Sequence, residues 1–388
     1  MFIKRLNLKE LLSFKDSEIE LGPLNVLIGP NAVGKSNLIE VIGLLQAAPV
    51  GIAAAILRGG GVRQWMWLGD DSPTSGIACE LTLSRRDRVE ELRYKLEFAD
   101  LNGFAIVHEL LGKVAPNPGS AGIFLFRSGD GVEFGDGGSR LGLNPGTEIS
   151  VPSNESVFSQ FKNPVDRTPI TEVGNHFARI RIFREFRTGS QSAARYGIST
   201  SAAKDALTDG ADNLALVLHE LDFLGVHERI RSYLQRFCER FDDVKVNVGE
   251  GLARAFLREA GLRDMLSAIR MSDGTLKFLS LLAALFHPAP PPLMCIEEPE
   301  TGLHPDAMQL VAEALTEASQ SMQLIVTTHS EALVDALTDQ PDSVLVCERD
   351  FDNSTQMKRL SKDHLKEWLE HYSLGQLWRK GEIGGGRW

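Results

Sequence analysis

The pattern of apolar and polar positions changes character three times along the 388 residues. Near the amino terminus, Leu21-Gly22-Pro23 leads into Asn25-Val26-Leu27-Ile28, a short apolar run bounded by turn residues, which predicts a buried strand. Residues 1–48 as a whole predict strand, turn, strand, loop and helix, the helix ending near Pro49. From about 60 to 150 the period is two. Leu92, Tyr94, Leu96 and Phe98 alternate with Arg93, Lys95 and Glu97, the mark of a half-buried strand. Residues 77–83, 104–110 and 122–126 are further strand candidates, so this stretch predicts an antiparallel meander with a Gly-rich loop over 129–146. Val226, Ile230, Tyr233, Leu234, Phe237 and Phe241 then fall at helical spacing with Arg229, Arg231, Arg236 and Glu239 between them, which predicts an amphipathic helix.

After about residue 268 helix and strand alternate. Helices are predicted over 276–286 and 304–319, and strands over 293–296, 324–327 and 343–347. Alternation of this kind implies a mainly parallel sheet, with ligand sites at the carboxyl ends of its strands. No heptad repeat is sustained anywhere, which excludes a long coiled-coil arm.

Composition narrows the class further. The chain is 43% hydrophobic and 24% charged, close to the globular average, which argues against disorder, collagen-like repeats and a disulfide scaffold. Cys79, Cys238, Cys295 and Cys347 are far apart and form no C-x-x-C, so reduced thiols in a cytoplasmic protein are expected. The net charge of −11 opposes the long-range attraction of a general polyanion binder, so any nucleic-acid site must be local. Lys4, Arg5, Lys9 and Glu10 rule out a signal peptide in the first ten residues. The uncharged run 41–57 is interrupted by Gln46, Pro49 and Gly51, and no membrane span is expected from it.

Chemistry enters with Gly29-Pro30-Asn31-Ala32-Val33-Gly34-Lys35-Ser36, which matches G-x-x-x-x-G-K-[ST] directly after a predicted strand and at the start of a helix. Glycines let backbone N–H groups curl around an anion, and the helix start adds partial positive charge. Lys35 would reach the β- and γ-phosphates of ATP and Ser36 would ligate Mg²⁺, with Asn31, Gly34 and Asn37 completing the nucleotide loop. Leu293-Met294-Cys295-Ile296-Glu297-Glu298-Pro299-Glu300 is an apolar strand delivering adjacent carboxylates at its carboxyl end. Successive strand side chains face opposite ways, so Glu297 is assigned to the Mg²⁺ shell and Glu298 to polarising the attacking water.

The order of these motifs resembles that of the ABC-type ATPases, in detail the RecF/SMC-like branch, an AAA-family head of RecF/OLD-like type without a coiled coil or an appended nuclease. Arg270-Met271-Ser272-Asp273-Gly274-Thr275-Leu276-Lys277 resembles the family's L-S-G-G-Q signature, departing from it at two places. Thr301-Gly302-Leu303-His304-Pro305 is similar to the D-loop, Thr327-Thr328-His329-Ser330 to the switch histidine, and Leu12-Ser13-Phe14-Lys15 to the opening strands. The resemblance implies an α/β fold: a P-loop NTPase head of ABC type, a mainly parallel sheet plus an antiparallel β subdomain, with an inserted β-rich then helical lobe. It implies an ATPase that uses ATP and Mg²⁺ and forms a homodimer on binding ATP. Ser272 and the backbone at Gly274 would then meet the γ-phosphate held by the other protomer's Lys35, and His329 would contact the γ-phosphate or the water. Gln160 is the candidate for the glutamine that joins Mg²⁺ to the inserted lobe, since it follows the β-rich part and precedes the helical part, whereas Gln46 is too close to the P-loop helix.

These readings divide the chain into 1–150, the front of the head with its antiparallel subdomain; 151–260, an inserted and mostly helical lobe; and 261–388, the back of the head. Residues 161–200 carry Lys162, Arg167, Arg179, Arg181, Arg184, Arg187 and Arg195 against Asp166, Glu172 and Glu185, a local excess of positive charge. A strand showing Arg179, Arg181, Arg184 and Arg187 to one side could contact DNA phosphates. The expected function is an ATP-hydrolysing dimerisation switch coupled to DNA repair or to defence against phage, acting with a separate effector. The alternatives are an ATP-gated protein-interaction module without DNA contact and, third, a transporter ATPase subunit. The last is disfavoured by the 236 residues from Ser36 to Ser272, and a GTPase by the lack of N-K-x-D.

Overall fold

The computed structural model describes residues 1–70, 72–85, 88–114, 122–135, 148–161 and 168–385. Most of the predicted Gly-rich loop, Lys162, Asp166 and Arg167 of the cationic stretch, and residues 386–388 of the tail lie outside the described residues. Two compact units are present, Met1–Ile180 with Leu345–Leu360 and Ile383–Trp388, and Arg181–Val344 with Ser361–Glu382.

The first unit begins β1 (Phe2–Leu11), β2 (Phe14–Glu20), β3 (Leu24–Ile28), α1 (Lys35–Ala47), α2 (Ile52–Arg58) and α3 (Val62–Trp65). It continues with β4 (Ser75–Arg85), β5 (Arg88–Asp100), β6 (Phe104–Lys113), β7 (Ile123–Ser128), β8 (Gly131–Glu133), β9 (Glu148–Ser150), α4 (Val157–Gln160) and α5 (Pro169–Ala178). The second holds β10 (Arg181–Phe183), α6 (Ala193–Tyr196), β11 (Ile198–Ser199), α7 (Leu214–Phe223), α8 (His227–Phe237), β12 (Phe241–Gly249), β13 (Leu252–Glu259) and β14 (Leu266–Ser267). It goes on through α9 (Asp273–Leu285), β15 (Leu293–Glu297), α10 (Met308–Ala318), β16 (Gln323–Thr327) and α11 (Glu331–Asp335). The chain then returns to the first unit for β17 (Val344–Arg349) and β18 (Thr355–Arg359), and ends in the second with α12 (Lys362–Leu369) and α13 (Leu374–Lys380).

In the first unit the predicted meander is an antiparallel sheet of order β2-β1-β4-β5-β6-β7-β8-β9. Its period of two works as expected: Leu92, Tyr94, Leu96 and Phe98 are fully buried, while Arg93 on the other face is ion-paired with Glu80. The Tyr94 ring stacks on Phe158 of α4 at 5.0 Å and meets Phe177 of α5 edge-on at 5.4 Å, so the two helices cover this face. Burying rings of this size contributes about 1.5–3 kcal/mol each. Beneath them Glu109, fully buried, accepts from Tyr94 at 2.9 Å, Ser156 at 2.6 Å and the Val157 N–H at 2.9 Å, which fixes where α4 starts. The amino-terminal stretch has one strand more than its pattern predicts, because Leu12 takes a left-handed φ of 53° and folds β1 onto β2. β3, β17 and β18 are neighbours, with β17 antiparallel to β18.

In the second unit β10, β15 and β16 run parallel. Residues 293–296 and 323–327 are buried throughout, and 293–296 and 324–326 have the unbroken apolar pattern of strands covered on both faces. The helix predicted up to Phe241 stops at Phe237, where Cys238 is extended, and Phe241 opens the β12–β13 hairpin instead. Glu250 and Gly251, both at positive φ, make its turn. The apolar run 41–57 is split between α1 and α2, and no helix among the described residues is long and apolar enough to cross a membrane.

Candidate nucleotide site

The P-loop lies in the first unit. Lys35 is 6% exposed, and its Nζ donates to the carbonyls of Gly29 and Pro30, each at 2.8 Å. Gly29 and Gly34 have φ of 147° and 108°, and Ala32 also takes a positive φ. A Cβ on Gly29 would lie 2.4 Å from the Cys347 carbonyl, and one on Gly34 2.2 Å from Thr355 Oγ1 and 2.6 Å from Ser13 Oγ. The loop is therefore held from behind. Thr355 Oγ1 meets Ser13 Oγ at 2.7 Å and the Val33 carbonyl at 2.6 Å, and Arg349 donates to the Ala32 carbonyl at 2.7 Å. Asn37 gives its amide to Ser13 at 2.8 Å, a role in bracing the loop, while Asn31 and Ser36 are exposed. No side chain caps α1 and no acid sits in its first turn, so the helix start suits an anion. Gln160 closes α4 with its amide donating to Glu155 and, at 3.3 Å, to Ser159. Gln46 donates to the Ile180 carbonyl at 2.7 Å.

The carboxylates lie in the second unit. The β15–β16 register places Glu297 opposite Thr327, so the acidic strand end and the switch segment emerge side by side. Glu297 is ion-paired with Arg184 at 2.9 Å. Glu298 takes a φ of 45°, a costly conformation for a residue with a Cβ. Its N–H donates to the Thr327 carbonyl at 3.0 Å, its Oε2 accepts from Thr301 at 3.2 Å, and its Oε1 lies 3.8 Å from His329 Nε2. Glu300, which the motif reading leaves without a role, accepts at Oε1 from the Thr328 hydroxyl at 2.7 Å and from the His329 N–H at 2.8 Å. Burial raises its pKa above the usual carboxylate range, against the pull of those two donors. The third acid of E-E-P-E was in plain view; only the backbone geometry gives it a task.

Ser272 is the N-cap of α9, accepting from the Thr275 N–H at 3.0 Å. A Cβ on Gly274 would stand 3.0 Å from the Gly302 carbonyl, and Lys277 donates to the Thr301 carbonyl at 2.9 Å, so the signature-like helix and the D-loop-like turn pack closely. Behind them Arg195 is 8% exposed and donates to the carbonyls of Thr188 at 2.7 Å, Ala268 at 3.2 Å, Ile269 at 3.3 Å and Met271 at 2.7 Å, and to Asp273.

The cationic strand is corrected. β10 is only three residues long, so Arg184 and Arg187 follow it rather than share its face, and Arg179 caps α5 in the other unit. Arg184 pairs with Glu297, Arg187 with Asp212 at 2.7 Å, and Arg195 is buried. Period-two spacing was a poor guide here because the strand ends at Phe183.

Within the first unit the Ser36 hydroxyl is a hard oxygen donor of the kind Mg²⁺ takes, and it stands at the uncapped, acid-free start of α1, which suits a phosphate. The sequence profile of the family described as "AAA domain, putative AbiEii toxin, Type IV TA system" matches residues 24–131 and 140–335, more than half of the chain. The chain belongs to this family. The DNA replication and repair protein RecF of Magnetococcus marinus is 48% identical over 46 residues, a match spanning 12% of this chain and 12% of that protein. The Smc head bound to the C-winged helix domain of ScpA superposes with a TM-score of 0.58 at 14% identity, over 94% of this chain and 99% of that one. The Smc head with an extended coiled coil, bound to the C-terminal domain of ScpA derived from Pyrococcus furiosus, gives 0.54 at 14% identity over 95% and 98%. This member of the AAA-domain family thus has the α/β head fold of the SMC and ABC type, a mixed sheet with an antiparallel β subdomain, as its motifs predicted. It is an ATP-binding P-loop ATPase of the SMC/RecF head type.

Proposed function

We propose that the protein is an ATP-hydrolysing dimerisation switch. Lys35 leaves the loop carbonyls for the β- and γ-phosphates, and the backbone from Asn31 to Gly34 holds the rest of the chain of phosphates. Ser36, Glu297 and Gln160 are the residues that would hold Mg²⁺, which when bound neutralises charge on the phosphate oxygens. Glu298 accepts the proton of the attacking water, and His329 orients that water or the γ-phosphate. Ser272 and Gly274 of a second copy close the site, so that ATP joins two heads and hydrolysis parts them. The observation that carries this reading is Glu298 in a left-handed conformation, 3.8 Å from His329, at the ends of adjacent parallel strands. The test is Glu298→Gln, which should slow hydrolysis by about 10²-fold or more while keeping ATP-dependent dimers in light scattering. An unchanged rate removes the carboxylate assignment.

The RecF match supports a setting in DNA maintenance, and the family description, which names a putative toxin of a toxin–antitoxin system, leads us to keep defence against phage beside it. One observation favours a protein partner over DNA as what the switch grips: Arg184, Arg187 and Arg195 are all engaged with acids or carbonyls of their own unit. Salt-dependent DNA binding by the ATP-trapped Glu298→Gln form, lost when Arg181 and Arg184 become Glu, would reverse that preference.

A further inference from the structure

The Glu300 side chain is an odd ligand for its surroundings. One oxygen accepts twice, from the Thr328 hydroxyl and the His329 N–H, while Oε2 is buried without a hydrogen-bond partner. Leaving half of a carboxylate unsatisfied in the interior is costly, and a shorter neutral acceptor would satisfy a loop at less cost. What the carboxylate achieves is reach. Glu300 follows the strand end by three residues, its own carbonyl accepts from the Leu303 N–H at 2.9 Å, and its side chain crosses to the loop after β16. There it fixes two consecutive residues, 328 and 329. Thr328 passes the constraint on, because its hydroxyl also accepts from the Ser330 N–H at 3.0 Å, and Ser330 Oγ caps α11 through the Leu333 N–H at 3.2 Å. The His329 backbone is thereby tied from one side to the turn that carries Glu298, whose Oε1 is 3.8 Å from His329 Nε2.

We infer that Glu300 is a positioning residue for hydrolysis: it sets the distance between His329 and Glu298 and touches neither nucleotide nor water. This rests on the roles proposed above for Glu298 and His329. A displacement of about 1 Å in such a pair can cost about 10²-fold in rate. Glu300→Ala should therefore lower kcat by about 10- to 100-fold with KM for ATP within about threefold, since the P-loop is untouched. Glu300→Gln keeps a carbonyl acceptor for both donors and should recover most of that loss. The deciding measurement is a double-mutant cycle on kcat with His329→Ala. If Glu300 acts through His329, adding Glu300→Ala to His329→Ala changes kcat by less than about twofold.

Equal losses in both backgrounds, or a Glu300→Gln variant as slow as Glu300→Ala, overturn the inference while leaving the role of His329 standing. A His329→Ala variant that hydrolyses ATP at the unaltered rate overturns both that role and this inference. Should Glu300→Ala melt early, Thr328→Val removes one of the two donors and takes its place in the cycle. It should slow kcat severalfold when His329 is present and have no effect when it is absent; any other pattern overturns the inference.

Discussion

Replacing Arg195 separates two accounts of the cationic stretch. As a phosphate ligand, Arg195 would be dispensable for folding; as the structure has it, the guanidinium is an internal strut under the α9 start. Its partners Thr188 and Met271 are 2% and 4% exposed, so Arg195→Ala leaves two buried carbonyls short of a donor, while the Ala268 carbonyl keeps the Met271 N–H at 3.2 Å. Each unmatched buried acceptor costs about 1–3 kcal/mol. The Asp273 contact adds little, because that carboxylate is 62% exposed and water replaces the lost partner. Two such acceptors at the low end give about 2 kcal/mol. At about 2–4 °C per kcal/mol for a unit of this size, the melting temperature should fall by roughly 4–8 °C in calorimetry of the full chain. Arg195→Lys keeps the charge but not the planar fork, so it should recover less than half of the loss. A shift below about 2 °C for Arg195→Ala would refute the strut, and a parallel loss of salt-dependent DNA binding would restore the phosphate account.

Two further outcomes test the P-loop and the buried carboxylate. Lys35→Ala should abolish binding of a fluorescent ATP analogue, and Gly34→Ala, which forces a Cβ to 2.2 Å from Thr355 Oγ1 at a φ of 108°, should weaken it by about tenfold or more; retained affinity in both would sink the nucleotide assignment. Burial raises the Glu109 pKa above its ordinary 4.5, so the folded state keeps a proton that the unfolded chain has released. Stability from this group is full below about pH 4.5 and is lost as pH rises toward the raised value, and Glu109→Gln should lose less than the parent over that range. Parallel stability curves from pH 4.5 upward would show that Glu109 does not titrate there.

What was legible in the sequence was whatever a short stretch of chain decides by itself. Residues 29–36 need their glycines for reasons local to the loop, and the alternation from Leu92 to Phe98 needs one sheet face only, so both were readable without knowing what lay beyond. The β12–β13 hairpin was also local, with Val244, Val246 and Val248 alternating ahead of Gly249-Glu250-Gly251; the helical spacing that ran up to Phe241 simply outweighed it. Arg195, Thr355 and the partners of Glu300 are different in kind. Arg195 reaches residues 73 to 78 positions away and Thr355 reaches Ser13 across 342, and no spacing rule connects such pairs. The same division runs through the charge. Residues 291–350 hold 12 acids and one base, which accounts for the whole net −11 and places it around the carboxylate half of the ATPase. Sequence could locate that acidity, but Glu297, Glu298 and Glu300 fall within four positions on paper and act on three different partners in space: Arg184, His329 and the backbone that carries His329. Identical residues so close in sequence can be told apart only by what the rest of the fold brings to meet them.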